Sequence, residues 1–173
     1  MRTPREGEFS APDGIIIRPI AGAASALTSV VVGIIPPRET DYPVHLHYGL
    51  EQVTMVLSGR VTVLQRGPTD AHHTEVELGP GEAITTPPAS TLSFRNQGSA
   101  DVEVLFICVP SYPASNADTE VLSGGHRPLT VQELRRSAER LKRAREYLGA
   151  QIEARLHTIR WLAHVDESDE HRI

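Results

Sequence analysis

The sequence predicts an all-β domain, a sandwich or a barrel, followed by one long C-terminal helix. Thirteen Gly and thirteen Pro in 173 residues favour many turns and short strands over a helical bundle. The turns separate about eight short apolar segments rich in β-branched residues, and this number and spacing are typical of a sandwich or a barrel. The predicted strands are Gly14–Ile20, Thr28–Ile35, Gln52–Leu57, Arg60–Gln65, Thr74–Leu78, Ala83–Thr86, Thr91–Arg95 and Val102–Val109.

The pattern changes at residue 130, where a helix is predicted to begin. Thr130-Val-Gln-Glu133 is a capping box, with Thr at the N-cap and Glu three residues later. Apolar residues then recur three and four positions apart, which indicates an amphipathic helix of about 33 residues, on the order of 50 Å long. We therefore divide the chain into a flexible N-terminal arm (1–13), a β-barrel (14–122), a helical extension (123–165) and a polar tail (166–173).

Composition and charge limit the classes of function. The net charge of −5 and the pI of about 5.9 disfavour non-specific nucleic-acid binding. A single cysteine, Cys108, excludes an intrachain disulfide and a Cys-based zinc ribbon. The acidic start does not resemble a signal peptide, and the apolar stretch Ala21–Ile35 is too short to span a bilayer. We expect a cytoplasmic protein without a membrane or nucleic-acid partner.

The candidate chemistry lies in the segment from residue 43 to residue 60. His45 and His47 are two positions apart on an extended chain, so their side chains point to one face of a sheet. Converging imidazoles are what a Zn, Fe, Ni, Cu or Mn site requires. The spacing alone also fits surface or hydrogen-bonded histidines, and it leaves both interpretations open.

Two segments in order resemble the two motifs of the cupin superfamily. His45-Leu-His47, followed by an acidic or amide residue and Gly59, resembles the first motif, H-x-H, then Glu, then Gly. The segment from Gly79 to Asn96 resembles the second, which has a glycine and an acidic residue, a strand, Pro-x-Gly, a His and an Asn. The resemblance covers roughly residues 14–110 and is to a single-domain cupin with a degenerate second motif.

This resemblance implies the fold and the kind of site. The implied fold class is all-β, a cupin jelly-roll β-barrel with a long C-terminal α-helical extension. In the family, three histidines and one glutamate hold a metal ion inside the barrel. His45 and His47 match the first two histidines, so the resemblance makes them metal ligands and catalytic residues.

The other ligand positions depart from the motifs. Counting back from Gly59 places Gln52 at the glutamate position, and the neighbouring Glu51 fits an alternative register that needs a bulge. Gln52 is preferred, because side-chain alternation then turns Thr54 and Val56 inward. Leu92 stands at the position of the third histidine and cannot bind a metal, and Ala89 replaces the turn glycine.

Three functional hypotheses follow. We expect a metal-dependent cupin enzyme of the oxygenase, isomerase or cyclase type, in which His45, His47 and Gln52 or Glu51 hold an Fe, Zn, Mn or Ni ion. The second is a metal-free enzyme that uses His45 as an acid or base. The third is a non-catalytic small-molecule-binding or sensing module without metal. The intact histidine pair favours an enzyme, and Leu92 favours the binding module.

The remaining expectations concern the pocket and the partners. A partly apolar pocket suits an aromatic or otherwise apolar ligand. The outward-facing residues Val53, Met55 and Leu57 need a cover, so we expect a homodimer in which the long helix packs on a barrel or on its mate. The residues expected to line the pocket are Tyr48, Thr54, Val56, Leu92, Phe94 and Cys108.

Overall fold

The computed structural model describes residues 3–25, 27–112 and 119–169, which form two antiparallel sheets and one helix. The chain comprises two compact units, Met1–Leu141 and Lys142–Ile173. Each of the eight predicted strand segments overlaps an observed strand. The elements are β1 (Phe9–Ser10), β2 (Ile16–Ala24), β3 (Ser29–Ile35), β4 (His45–His47), β5 (Glu51–Ser58), β6 (Val61–Arg66), β7 (Thr74–Leu78), β8 (Ala83–Thr86), β9 (Thr91–Arg95), β10 (Val102–Val109), β11 (Thr119–Val121) and α1 (Val131–Asp169).

The two sheets have the jelly-roll arrangement, which confirms the predicted fold class. One sheet has the strand order β1-β2-β3-β10-β5-β8, and the other has the order β11-β4-β9-β6-β7. Alternation along the strands sends every second side chain between the sheets, where apolar residues from both form the main core. On β5, for example, Gln52, Thr54 and Val56 are buried while Leu57 is 41% exposed.

One glycine allows an aromatic ring to lie across strand β3. A Cβ atom on Gly33 would be 2.2 Å from Cε2 of Phe106, which is too close for two carbon atoms that are not bonded to each other. The absence of a side chain at residue 33 therefore leaves the space that the Phe106 ring occupies inside the barrel.

The second half of the predicted N-terminal arm belongs to the barrel. Phe9 and Ser10 pair with Ile17 and Ile16 of β2. Asp13 is only 7% exposed, and its Oδ1 accepts a hydrogen bond of 3.1 Å from the backbone N–H of Ile15. The charged, proline-containing sequence of residues 1–13 suggested a loose segment, because a two-residue strand is too short to leave a periodic pattern.

The helix begins where the capping box predicts and ends later than predicted. The backbone N–H of Thr130 donates to Glu133 Oε2 (2.6 Å), and the N–H of Glu133 donates to Thr130 Oγ1 (3.2 Å). Helix α1 continues through Gly149 to Asp169, so residues 166–169 of the predicted tail are helical; residues 170–173 lie outside the described residues. No helix in the described part of the chain is long and apolar enough to cross a membrane.

The helix cap gives a pH-dependent prediction. The Arg127 guanidinium, 2.6 Å from Glu133 Oε1, lowers the pKa of Glu133 to about 2, and the hydrogen bonds from Thr130 act in the same direction. The stabilisation is therefore complete above pH 4.5, the ordinary pKa, and is lost as the pH falls toward 2. We expect Glu133→Gln to reduce the free energy of unfolding by about 1 kcal/mol at pH 7, and by less at pH 3. Urea titrations at both pH values measure this difference. Glu139→Gln, an exposed change on the same helix, is the control, and equal losses for the two variants would contradict the capping role.

Candidate functional site

A cavity of about 480 Å³ lies between the two sheets, with polar groups concentrated around the histidine pair. Its walls come from both sheets, from the N-terminal segment and from residues near β11. Most of its lining side chains are apolar, and such a pocket binds small organic molecules. The lining residues are Phe9, Ala11, Pro12, Asp13, Ile15, Ile17, Ser29, Val31, His45, His47, Gln52, Phe94, Phe106, Cys108, Tyr112, Thr119 and Val121.

Strand β4 positions both histidines. Because side chains alternate, His45 and His47 face the cavity while Leu46 points the other way. Leu46 is fully buried on that outer side in a separate apolar cluster with Val44, Tyr48 and Leu122. The edges of β4 are paired with β9 and with β11. The strand is thus fixed by packing on one face and by hydrogen bonds on both edges.

His47 is oriented by residues near the C-terminal end of the barrel. Its Nδ1 lies 2.9 Å from Thr119 Oγ1, and the same Thr119 oxygen lies 2.5 Å from the Tyr112 hydroxyl. The edge of the Tyr112 ring also meets the imidazole, with ring centroids 6.1 Å apart. Burial, followed by the proximity of the His45 imidazole, lowers the pKa of His47 well below 6.5, so the His47 imidazole is neutral at pH 7. Its Nε2 is buried and has no hydrogen-bond partner.

His45 lies between a carboxylate and an aromatic ring. Its Nδ1 is 3.3 Å from Asp13 Oδ2, although the two groups are not aligned as a hydrogen bond, and this nitrogen is buried without another partner. The imidazole is stacked on Phe94, with centroids 6.3 Å apart. The two imidazole centroids are 4.9 Å apart, so both rings belong to one centre.

Gln52 faces this centre and Glu51 does not. Gln52 is 5% exposed and lines the cavity; its Nε2 donates to Thr54 Oγ1 (3.3 Å), and Cys108 Sγ lies 3.7 Å from its Oε1. Glu51 is exposed on the opposite face of β5. Of the two registers left open by the sequence, only the one with Gln52 places a donor group in the cavity.

The predicted pocket residues divide into two groups. Phe94 and Cys108 line the cavity. The other four do not. Val56 and Leu92 fill the main core, and Thr54 is buried beside Gln52. Tyr48 is also buried, but it lies on the face of β4 that points away from the cavity. Its hydroxyl donates to Glu120 Oε2 (2.5 Å), and its ring lies under the Arg136 guanidinium.

Several cavity residues were not found from the sequence. Phe9 and Asp13 come from the segment predicted as an arm, and Tyr112 and Thr119 come from the end of the barrel. Thr119 meets His47 through the pairing of β11 with β4, and Asp13 lies beside His45 although the two are distant in sequence, so no local spacing reveals these contacts. The turn sequence Pro12-Asp13-Gly14 before a strand was the one available signal.

The donor atoms around the histidine pair could hold a metal ion only weakly. Throughout residues 3–25, 27–112 and 119–169, no group of three or more His, Cys, Asp and Glu side chains could hold a metal. The centre instead presents two imidazoles and the Gln52 amide. His45 Nδ1 and His47 Nε2 are buried and unsatisfied, which is unfavourable unless a ligand or an ion completes them. These donors fit a divalent ion that is weakly held, because none of the three carries a charge.

The contacts of His47 predict the effect of one substitution. Thr119→Val removes the hydroxyl shared by His47 and Tyr112, so two partly buried polar groups lose a partner. We expect a loss of about 1 kcal/mol in the free energy of unfolding. Chemical denaturation would measure it, and Thr85→Val, the same change at an exposed position of β8, is the matched control. A Thr119→Val protein as stable as the control would show that this hydroxyl does not support the site.

Comparison with known proteins finds a matching family model and solved structures with a similar fold. The family model described as a cupin domain matches residues 31–108. No curated protein matches the sequence. Among solved structures, the capsular polysaccharide assembling protein CapF of Staphylococcus aureus is 18% identical with a TM-score of 0.55 over 67% of this chain and 31% of that chain. A variant of Streptomyces PAC13 with uridine is 16% identical with a TM-score of 0.51, over 73% of this chain and 88% of that chain. The chain therefore spans about a third of CapF, and both likenesses concern the fold alone.

Proposed function

Because the chain belongs to the cupin superfamily, we propose that it is a metal-dependent enzyme acting on a small organic molecule in the barrel cavity. The observation that supports this most is His47 Nε2, a buried imidazole nitrogen without a hydrogen-bond partner, beside the second imidazole of His45 on the wall of a cavity of about 480 Å³. Unsatisfied buried nitrogens are rare, and at the wall of a pocket they indicate a missing partner.

In this proposal His45, His47 and Gln52 would hold a divalent transition metal ion. When bound, such an ion would supply Lewis acidity that polarises a substrate oxygen or, if it is a redox-active ion such as Fe(II) or Mn(II), electrons that activate dioxygen. The protein orients the donors. Thr119 and Tyr112 fix the ring of His47, and the Asp13 carboxylate lies against His45 as second-sphere carboxylates do at other metal sites. The apolar walls exclude water around the substrate.

One observation favours a second candidate, a metal-free acid–base enzyme. Asp13 Oδ2 lies 3.3 Å from His45 Nδ1, and a carboxylate beside an imidazole is a common arrangement of a general base. Leu92 favours the other alternative, a non-catalytic binding or sensing module, because it fills the core at the position of the family's third histidine. The metal content of the protein distinguishes the metal-dependent enzyme from the metal-free enzyme and from the non-catalytic module.

The first experiment is elemental analysis of protein purified without chelator and again after anaerobic reconstitution with Fe(II), Mn(II), Ni(II) or Zn(II). We expect one equivalent of metal per chain after reconstitution, and its loss in the His45→Ala/His47→Ala double variant. Because the donor set is uncharged, dialysis against a chelator is expected to remove the ion readily. A protein that takes up none of the four ions would exclude the metal-dependent mechanism and leave the two metal-free candidates.

Substitution of Gln52 tests which residue completes the donor set. Gln52→Glu places a carboxylate among the donors, so we expect metal affinity to rise by at least about tenfold, since carboxylates are stronger ligands of divalent ions than amides. Competition with a chromophoric chelator measures the affinity. The matched control is Glu51→Gln, the reverse change at the adjacent, outward-facing residue, which we expect to leave the affinity unchanged. A fall in affinity for Glu51→Gln with no rise for Gln52→Glu would reverse the assignment.

We also propose that the chain forms a homodimer. Support comes from the outer face of β5, where Val53 and Met55 are only partly buried and Leu57 is 41% exposed. Burying such a face against a second copy removes apolar surface from water. Light scattering is expected to give twice the mass of one chain, and the mass of a single chain would refute the dimer.

A further inference from the structure

Building on the proposed function, we infer that the substrate is a largely apolar molecule with one oxygen-bearing end, which is directed at His45, His47 and Gln52, and that the protein walls themselves select against a charged group. Polar and charged groups are distributed unevenly over the walls of the cavity, and this distribution selects the class of molecule that it binds.

The polar and apolar side chains of the larger sheet lie in separate layers. Gln52, Cys108 and Ser29 are adjacent across β5, β10 and β3 and form a polar layer beside the histidines. Two residues further along each of β10 and β3 come Phe106 and Val31, also adjacent, and both are apolar and line the cavity. A molecule that spans both layers therefore meets polar groups at one end and hydrocarbon along the remainder of its length.

The walls offer no cation to an anionic substrate. None of the lining residues in the described ranges is Lys or Arg, and the sequence from Pro113 to Asp118, which joins Tyr112 to Thr119, contains neither. The only lining carboxylate among them is Asp13. Without the metal ion, a ligand carboxylate or phosphate would lose its hydration without gaining a positive partner from the walls and would be repelled by Asp13, so its burial would be unfavourable.

A cationic substrate fits little better. Its only opposite charge would be Asp13, whose Oδ1 already accepts the N–H of Ile15 and whose Oδ2 lies against His45. Pairing with an ammonium would take this carboxylate away from the imidazole. In contrast, a hydroxyl or carbonyl group can hydrogen-bond to the imidazoles and the amide without an unpaired charge, and a hydrocarbon body gains from contact with Phe106, Val31 and Ile17.

Three probes with one carbon skeleton test the inference: phenylpropanol, phenylpropanoate and phenylpropylammonium. Binding to the full-length protein is measured by calorimetry, first after chelator treatment and then after reconstitution with metal. We expect the alcohol to bind in both states, and each charged probe to bind the metal-free protein at least about tenfold more weakly, because burial of an unpaired charge is costly. Equal or tighter binding of either charged probe to the metal-free protein, or failure of the alcohol to bind in both states, would overturn the inference.

The reconstituted protein separates this inference from the proposed function. Metal uptake without alcohol binding contradicts the substrate class alone, and alcohol binding without metal uptake contradicts the metal-dependent mechanism alone. Tight binding of phenylpropanoate only after metal is added would support both the metal centre and the lack of a positive partner among the wall residues.

Two matched variants show whether the probe occupies this cavity. Val31→Phe adds bulk to the wall, and we expect it to weaken alcohol binding at least about tenfold while metal uptake is kept, because overfilled pockets exclude ligands. Val30→Phe, the same change on the next residue, which is not part of the lining, should change binding less than twofold by the same argument. If Val31→Phe fails to fold, Ile17→Ala replaces it, and roughly fivefold weaker binding is expected from the lost methyl groups. Wild-type affinity in the folded variant would place the probe elsewhere and refute the inference.

Discussion

The site depends on the alternation of one three-residue strand. In β4, His45 and His47 can face the cavity only if Leu46 faces away, and Leu46 is buried on the far side against Val44 and Leu122. The start of helix α1 reinforces this packing, because the Ser137 hydroxyl donates to the backbone oxygen of Tyr48, immediately after β4. The positions of the imidazoles are therefore set by apolar packing and hydrogen bonds that lie outside the cavity.

The second constraint is the shortage of charge around this strand. Buried imidazoles and amides can remain neutral, whereas a buried carboxylate needs a positive partner or a raised pKa. Gln52 at the position of the family's glutamate removes one negative charge from the centre, and Asp13 at the margin retains one. Both the proposed weak metal binding and the inferred selection against charged groups would follow from the same property, a site in which few groups are ionised.

The sequence predicted features that arise from neighbours along the chain. Alternation identified Gln52 as the inward-facing residue of β5, and the pair Thr130 and Glu133 identified the start of α1. Asp13 and Thr119 could not be identified in this way. Thr119 reaches His47 through the pairing of β11 with β4, and Asp13 lies beside His45 only in the folded barrel, because the two residues are distant in sequence.

Motif alignment and helix ends had different limits. The motif alignment placed Leu92 at the position of the third histidine, but it could not show that this side chain fills the core and does not line the cavity. The helix passed the expected boundary at residue 165 because adding residues to an existing helix costs little, even where the local sequence is polar.

Residue 33 shows how a barrel of this kind can change its ligand without a change in the residues that touch it. Gly33 is not among the lining residues, yet any side chain there must displace the Phe106 ring, which is one. A substitution of Gly33 would alter the volume of the cavity while leaving His45, His47 and Gln52 in place. Related proteins could thus differ in the size of their substrate while keeping the same chemistry, because different positions of the chain determine the two properties.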